Sequence, residues 1–185
     1  MANYVLITGA TSGFGEACAR KFAKEGFDLI ITGRRKERLE NITEELKSLN
    51  VDVIPLCFDV RQLAEVENAI DSLSTEMQQS ISILINNAGL AVGRNTIDQG
   101  LIDDWERMID TNIKAVHVLT KLFLKDMEQR NSGYILNVAS SAAFQPGPLM
   151  STYYATKSYV YQLTEALYYE QKKKKSNVHL SVLCP

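Results

Sequence analysis

The chain has 185 residues, 45% hydrophobic and 23% charged, which suits one globular domain with one core. Its 20 basic and 22 acidic side chains leave a net charge of −2, so no overall field favours nucleic acid or an anionic membrane. The cysteines Cys18, Cys57 and Cys184 and the histidines His117 and His179 fall in no ligand spacing, which argues against a metal site and suits a reducing, cytoplasmic setting.

No apolar run approaches the roughly 18 residues of a membrane span, and YVLI, with no basic leader, reads as a first strand rather than a signal peptide. Short apolar runs then alternate with amphipathic stretches. YVLIT leads to a helix over 15–25, DLIIT to one over 36–49, and DVIPLCF to one over 63–76. SILINN precedes a long helix over 103–129, GYILNVAS one over 152–172, and VHLSVLC ends the series. Strands this apolar are buried on both faces, which predicts a doubly wound α/β fold around a parallel sheet, in a single domain over 1–185. The lysines at 172–175 read as a solvated helix end whose dipole favours cations. The stripe Trp105, Met108, Ile109, Ile113 and Val116 reads as core or as a helix interface.

Between the first strand and helix lies TGATSGFG, with Gly9, Ala10, Thr11, Ser12, Gly13, Phe14 and Gly15. Glycines at such a turn let backbone N–H groups approach a diphosphate and aim a helix N-terminus at it. A nucleoside-triphosphate loop would need Gly-Lys-Ser/Thr, and here Glu16 follows Gly15. After the second strand stands TGRRK, where Gly33 offers no carboxylate to repel a ribose 2′-phosphate. Arg34 and Arg35 offer charge-assisted hydrogen bonds to one, so NADP(H) is expected over NAD(H).

With these motifs in order, the chain resembles the short-chain dehydrogenase/reductase family over residues 4–185. TGATSGFG is similar to the family's glycine motif, Asp59 and Val60 to the pair that meets adenine, and Asn86, Asn87, Ala88 and Gly89 to its NNAG motif. Asn112, Ser140, Tyr153 and Lys157 fall where the family keeps its catalytic tetrad. GFGEA, TGRRKERL, NNAGLAVG and DDWERMIDTN look most similar to NADP-dependent enzymes acting on serine and other 3-hydroxy acids.

Two adjacent tyrosines in YYATK compete for the catalytic position. Residues four apart share a helix face and neighbours diverge by about 100°, so Tyr153 lies beside Lys157 and Tyr154 reads as a packing aromatic. An ammonium about 4 Å from a phenol, at an effective dielectric near 20, supplies roughly 4 kcal/mol toward the phenolate. The family interval back from Tyr153 reaches Ser140 rather than Ser141.

The resemblance implies hydride transfer between nicotinamide and a carbon bearing oxygen in a small substrate. Tyr153 would be general acid or base, Ser140 would hydrogen-bond the substrate oxygen, and Lys157 would hold the nicotinamide ribose and lower the phenol pKa. Asn112 would open its helix and anchor a water linking Lys157 to solvent. Pro185 would lie beside the cofactor. The helices carrying Asn112 and Tyr153 often pair across a family subunit interface, so a homo-oligomer, dimer or tetramer, is expected. Where this chain ends at VLCP the family continues into a substrate lid and a last strand, which leaves FQPGPLMST, Ala91 and Val92 to shape the pocket. A 3-oxoacyl-carrier reductase and a non-catalytic NADP(H)-sensing protein that engages a partner stand as alternatives.

Overall fold

Leucine, isoleucine and valine on successive positions leave a strand no solvent face, and this property organises the first part of the chain. The computed structural model describes residues 3–185. It divides into two compact units, the first ending at Ala88 and the second running from Gly89 to Pro185.

In the first unit, β1 (Tyr4–Ile7), β2 (Asp28–Gly33), β3 (Val53–Cys57) and β4 (Ile81–Asn86) run parallel in the order β3-β2-β1-β4. Leu6 sits opposite Ile30 on one side and Leu84 on the other, and all three are fully buried. The connections are α1 (Gly13–Lys24), α2 (Lys36–Lys47), α3 (Leu63–Asp71) and α4 (Thr75–Ser80). α1 turns the small residues Ala19 and Ala23 inward, and Arg20 on its outer side reaches Glu16 and forks onto Glu45 of α2 at 2.6 and 2.8 Å.

The second unit holds α5 (Ile102–Ile109), a π-turn (Asp110–Lys114), α6 (Ala115–Arg130), β5 (Gly133–Val138), a 3₁₀ turn (Ser141–Phe144), α7 (Ser151–Lys174) and β6 (Val178–Leu183). β5 and β6 pair in parallel from Gly133 and Val178 to Val138 and Leu183. Leu119, Met127 and Ile135 are buried in this unit, where Val116, Ala139 and Val160 form a further core cluster. The lysines at the end of α7 are solvent-exposed.

Two expectations are corrected here. The helix expected over 63–76 is two helices, because the side chain of Ser74 caps α4 by accepting the N–H of Met77 and so starts a new helix. Burial on both faces holds for β1 and β2 but not for β3 and β6, where buried residues alternate with more accessible ones. In β3 the cause is position, since only β2 flanks it in its unit.

Candidate active site

The glycine loop is built against the end of β4. A Cβ at Gly15 would lie 2.3 Å from Asn87 Nδ2 and 2.5 Å from the Gly9 carbonyl oxygen, and one at Gly9 would lie 2.9 Å from Ala88 Cα. No side chain fits at either place. Gly13, at a left-handed φ of +58°, faces the other way, and a Cβ there would meet nothing within 4 Å. The loop is thus tight on its inner side and open on its outer side, at the start of α1, where a diphosphate would need room. Ala10 is buried with its N–H on the Thr32 carbonyl, whereas Ser12 and Phe14 are exposed.

Asn87 holds this arrangement with its side chain, donating from Nδ2 to the Thr8 and Gly9 carbonyls at 2.9 and 3.1 Å. The backbone N–H groups of Asn87 and Ala88 both donate to Thr8 Oγ1 at 3.0 Å. Thr8 escapes a sequence reading because it looks like any strand threonine. Gly89, next in the chain, is exposed.

Arg35 turns back over the loop. Its Nη2 donates to Thr11 Oγ1 at 2.9 Å and Ser12 Oγ at 3.1 Å, so one guanidinium and two hydroxyls are gathered at the helix start. Arg34, about half exposed, points its Nη1 toward Asp59 at 3.8 Å. Asp59 is held by a residue not singled out from the sequence: Arg61 forks onto it with contacts of 3.0, 3.0 and 2.6 Å and adds its backbone N–H at 3.1 Å. The Arg61 hydrogen bonds, with a smaller contribution from Arg34, hold the Asp59 carboxyl below its usual range despite partial burial. Val60 beside it is buried.

In the second unit, Lys157 is 5% exposed, donates from Nζ to the Val138 carbonyl at 2.9 Å and lies 5.9 Å from the centroid of the Tyr153 ring. Burial pushes its pKa down to about 8, opposed by the neighbouring Cys184. The Cys184 thiol is itself pushed up by burial. Tyr153 and Tyr154 are both partly buried, with rings edge to face at 6.1 Å. Tyr154 packs over the loop FQPGPLM, its ring within 2.1 to 2.4 Å of where a Cβ at Gly147 would stand.

Asn112 lies in the π-turn and is almost fully buried. Its Oδ1 accepts the Leu90 N–H at 2.8 Å, and its Nδ2 donates to the Leu90 carbonyl at 2.8 Å and to Thr156 Oγ1 at 3.0 Å. Thr156 donates in turn to the Tyr153 carbonyl at 2.7 Å. The helix is widened to a π-turn at Asn112, and the Asn112 side chain ties that turn to Thr156 of α7. Ser140 precedes the 3₁₀ turn; its Oγ accepts the Ala142 N–H at 3.2 Å and donates weakly to the Pro185 carbonyl at 3.4 Å. The Ser141 N–H also serves that carbonyl at 2.8 Å, so the Ser140 hydroxyl can turn away without leaving it unpaired.

A small cavity of about 30 Å³ lies between the segments around Val92 to Trp105 and Leu149 to Thr152. Val92 lines it, and so do Trp105 and Met108 from the stripe expected in a core or interface.

The family model described as short chain dehydrogenase matches residues 3–185. The chain belongs to the short-chain dehydrogenase family. It is 44% identical over 160 residues to the NADP-dependent 3-hydroxy acid dehydrogenase YdfG of Shigella flexneri, covering 86% of this chain and 63% of that protein. Sulfoacetaldehyde reductase 2 of Chromohalobacter salexigens is 44% identical over 165 residues, covering 89% and 65%. The chain thus spans 63% of the length of the first of these relatives. Among solved structures, a serine dehydrogenase from Escherichia coli superposes with a TM-score of 0.90 at 38% identity, over 98% of this chain and 82% of that one. A short-chain dehydrogenase from Sphingobium yanoikuyae in complex with NADPH gives 0.90 at 33% identity, over 99% and 70%. The fold class is that of these short-chain dehydrogenases, Rossmann-type doubly wound α/β with parallel strands. No described helix is long and apolar enough to cross a membrane.

Proposed function

We propose that the protein is an NADP(H)-dependent oxidoreductase that interconverts a hydroxyl and a carbonyl on a small acidic substrate. The observation that carries this reading is Lys157, buried beside Tyr153 in α7, in a chain whose glycine loop is covered by Arg35, with Arg34 next to it in sequence. The relatives' names support the substrate class: a 3-hydroxy acid and sulfoacetaldehyde are both small molecules with an acidic group near the reacting oxygen.

The open outer side at Gly13 and the hydroxyls under Arg35 fit a dinucleotide with a 2′-phosphate. Residues Gly9 to Gly15 would hold the diphosphate, Arg34 and Arg35 the 2′-phosphate, and Asp59 and Val60 the adenine. Asn87, Ala88, Gly89 and Pro185 would line the nicotinamide side, with Lys157 on its ribose. Bound cofactor would supply or accept the hydride. Tyr153 gives a proton to the substrate oxygen in reduction and takes it in oxidation, while Ser140 hydrogen-bonds the same oxygen as charge develops there. Lys157, with a pKa near 8, stays largely cationic at neutral pH and keeps a positive charge 5.9 Å from the centre of the Tyr153 ring. Asn112 holds the π-turn open, and a water anchored there would connect Lys157 to solvent. The two units would act as one domain, in a cytoplasmic homo-oligomer.

The test is a fluorescence titration with NADPH and NADH, on the wild type and on Arg34→Leu/Arg35→Leu, followed by turnover of short 3-hydroxy acids. Preference for NADPH that collapses in the double variant, with turnover lost in Tyr153→Phe, is the expected result. Equal binding of both cofactors by the wild type would overturn the cofactor assignment. A Tyr153→Phe variant that turns over normally would overturn the proton donor.

A further inference from the structure

Asp59 presents a problem for a site that should attract a phosphate. Its Oδ2 already forms a long ion pair of 3.8 Å with Arg34 Nη1, and an unmasked carboxylate there would tighten that pair and repel the ligand's dianion. The structure contains the remedy two residues along. Arg61 covers both oxygens of Asp59 with its guanidinium and one of them again with its backbone N–H. Both side chains are mostly buried, with about a fifth of each exposed, and a planar fork matched to a carboxylate is the strongest geometry available to such a pair. The turn is fixed from behind as well, because the Asp59 N–H donates to Glu65 and its carbonyl accepts the Gln62 N–H. Glu65 adds a second negative charge to this corner and strengthens the need for a cation.

We propose that Arg61 is a positioning residue for cofactor selection: by forking onto Asp59 it masks the carboxylate and leaves Arg34 to the 2′-phosphate. The inference rests on the NADP(H) reading above and assigns a role within it to a residue that need not touch the cofactor. Arg61→Met leaves Asp59 with Arg34 as its nearest cation, so the 3.8 Å pair closes and the phosphate loses its partner. The adenine side of Asp59 is common to both cofactors, so the ratio of NADPH to NADH affinity isolates the effect.

The experiment is a titration of both cofactors against wild type, Arg61→Met, Arg61→Gln and Asp59→Asn/Arg61→Met, each checked by circular dichroism. We expect the affinity ratio to fall about tenfold in either single variant, the size of one screened charge interaction at close range. The double variant, with no carboxylate to mask, should regain the wild-type ratio. A ratio unchanged in the folded single variants, or equally low in the double, would overturn the role of Arg61 and leave the cofactor reading intact. A wild type with no preference for NADPH would overturn both. Arg61→Gln keeps a hydrogen-bond donor for Asp59 and the double variant removes the carboxylate charge, so neither strands Asp59 and a folding failure of Arg61→Met does not block the test.

Discussion

Asn112 and Thr156 meet between the π-turn and α7, Nδ2 to Oγ1 at 3.0 Å, with both residues about 1% exposed. Thr156 passes the link on to the Tyr153 carbonyl, so a single hydroxyl ties the opened helix to the turn that carries the candidate proton donor. Thr156→Val keeps the shape and leaves an amide hydrogen and a carbonyl without this partner inside the protein. We expect a loss of about 2 kcal/mol in urea unfolding. Turnover should fall about tenfold with NADPH affinity held within twofold, as for a displaced proton donor. Thr156→Ser should restore both. A folded Thr156→Val with wild-type turnover would show that the link does not position Tyr153.

How much of this could be read from the sequence depends on how local each constraint is. The glycine loop was legible because close approach and positive φ are demands on single residues, and TGATSGFG answers them in one stretch. Tyr153 and Lys157 were nominated by the family resemblance, and helix periodicity separated Tyr153 from Tyr154. Arg61 was not legible, since its role follows from the distance between Asp59 and Arg34, residues from the ends of different strands. Thr8 and Thr156 were hidden because threonine in a strand or helix usually has no special partner. The break at Ser74 was missed for a related reason: a capping serine announces itself only when the preceding helix has already ended.

Lys157 makes stability depend on pH in a direction that can be worked out. Its folded pKa, near 8, is below the unfolded value of about 10.5, so between these limits the unfolded chain binds more protons and stability rises with pH. Other groups titrate too, so the comparison is with Lys157→Met. From pH 7 to pH 10 the wild type should gain about 2 kcal/mol relative to that variant in urea unfolding. A flat difference would mean that the buried ammonium is solvated well enough to keep its ordinary pKa.

Gly147 and Tyr154 test the other tyrosine. A methyl group at Gly147 would stand 2.1 Å from the Tyr154 ring, so Gly147→Ala must displace either the ring or the loop over residues 144–150. We expect a loss of about 1 to 3 kcal/mol and a raised KM, because this loop borders the small cavity at Leu149 to Thr152. Tyr154→Phe retains the packing ring and should leave turnover within about twofold, as for a group that makes no transition-state contact. Damage from Tyr154→Phe comparable to that from Tyr153→Phe would mean that the two tyrosines have been assigned the wrong way round.

The outer face of α5, the π-turn and α7 bears on assembly. Ile109, Ile113, Ala155 and Tyr159 line a concavity of about 400 Å³, and Ile109 is 40% exposed. An apolar hollow of this kind is costly in water, and a second copy of the same face can close it with twofold symmetry. A stable pair must bury about 1,200 Å² or more, of which the hollow would be the apolar centre. Ile109→Arg places a charge there on each copy, so the two charges meet across the axis and the association weakens severalfold or more. Light scattering after gel filtration should find an oligomer for the wild type and a monomer for Ile109→Arg at the same concentration. A monomeric wild type at micromolar concentration would show that this face has another purpose.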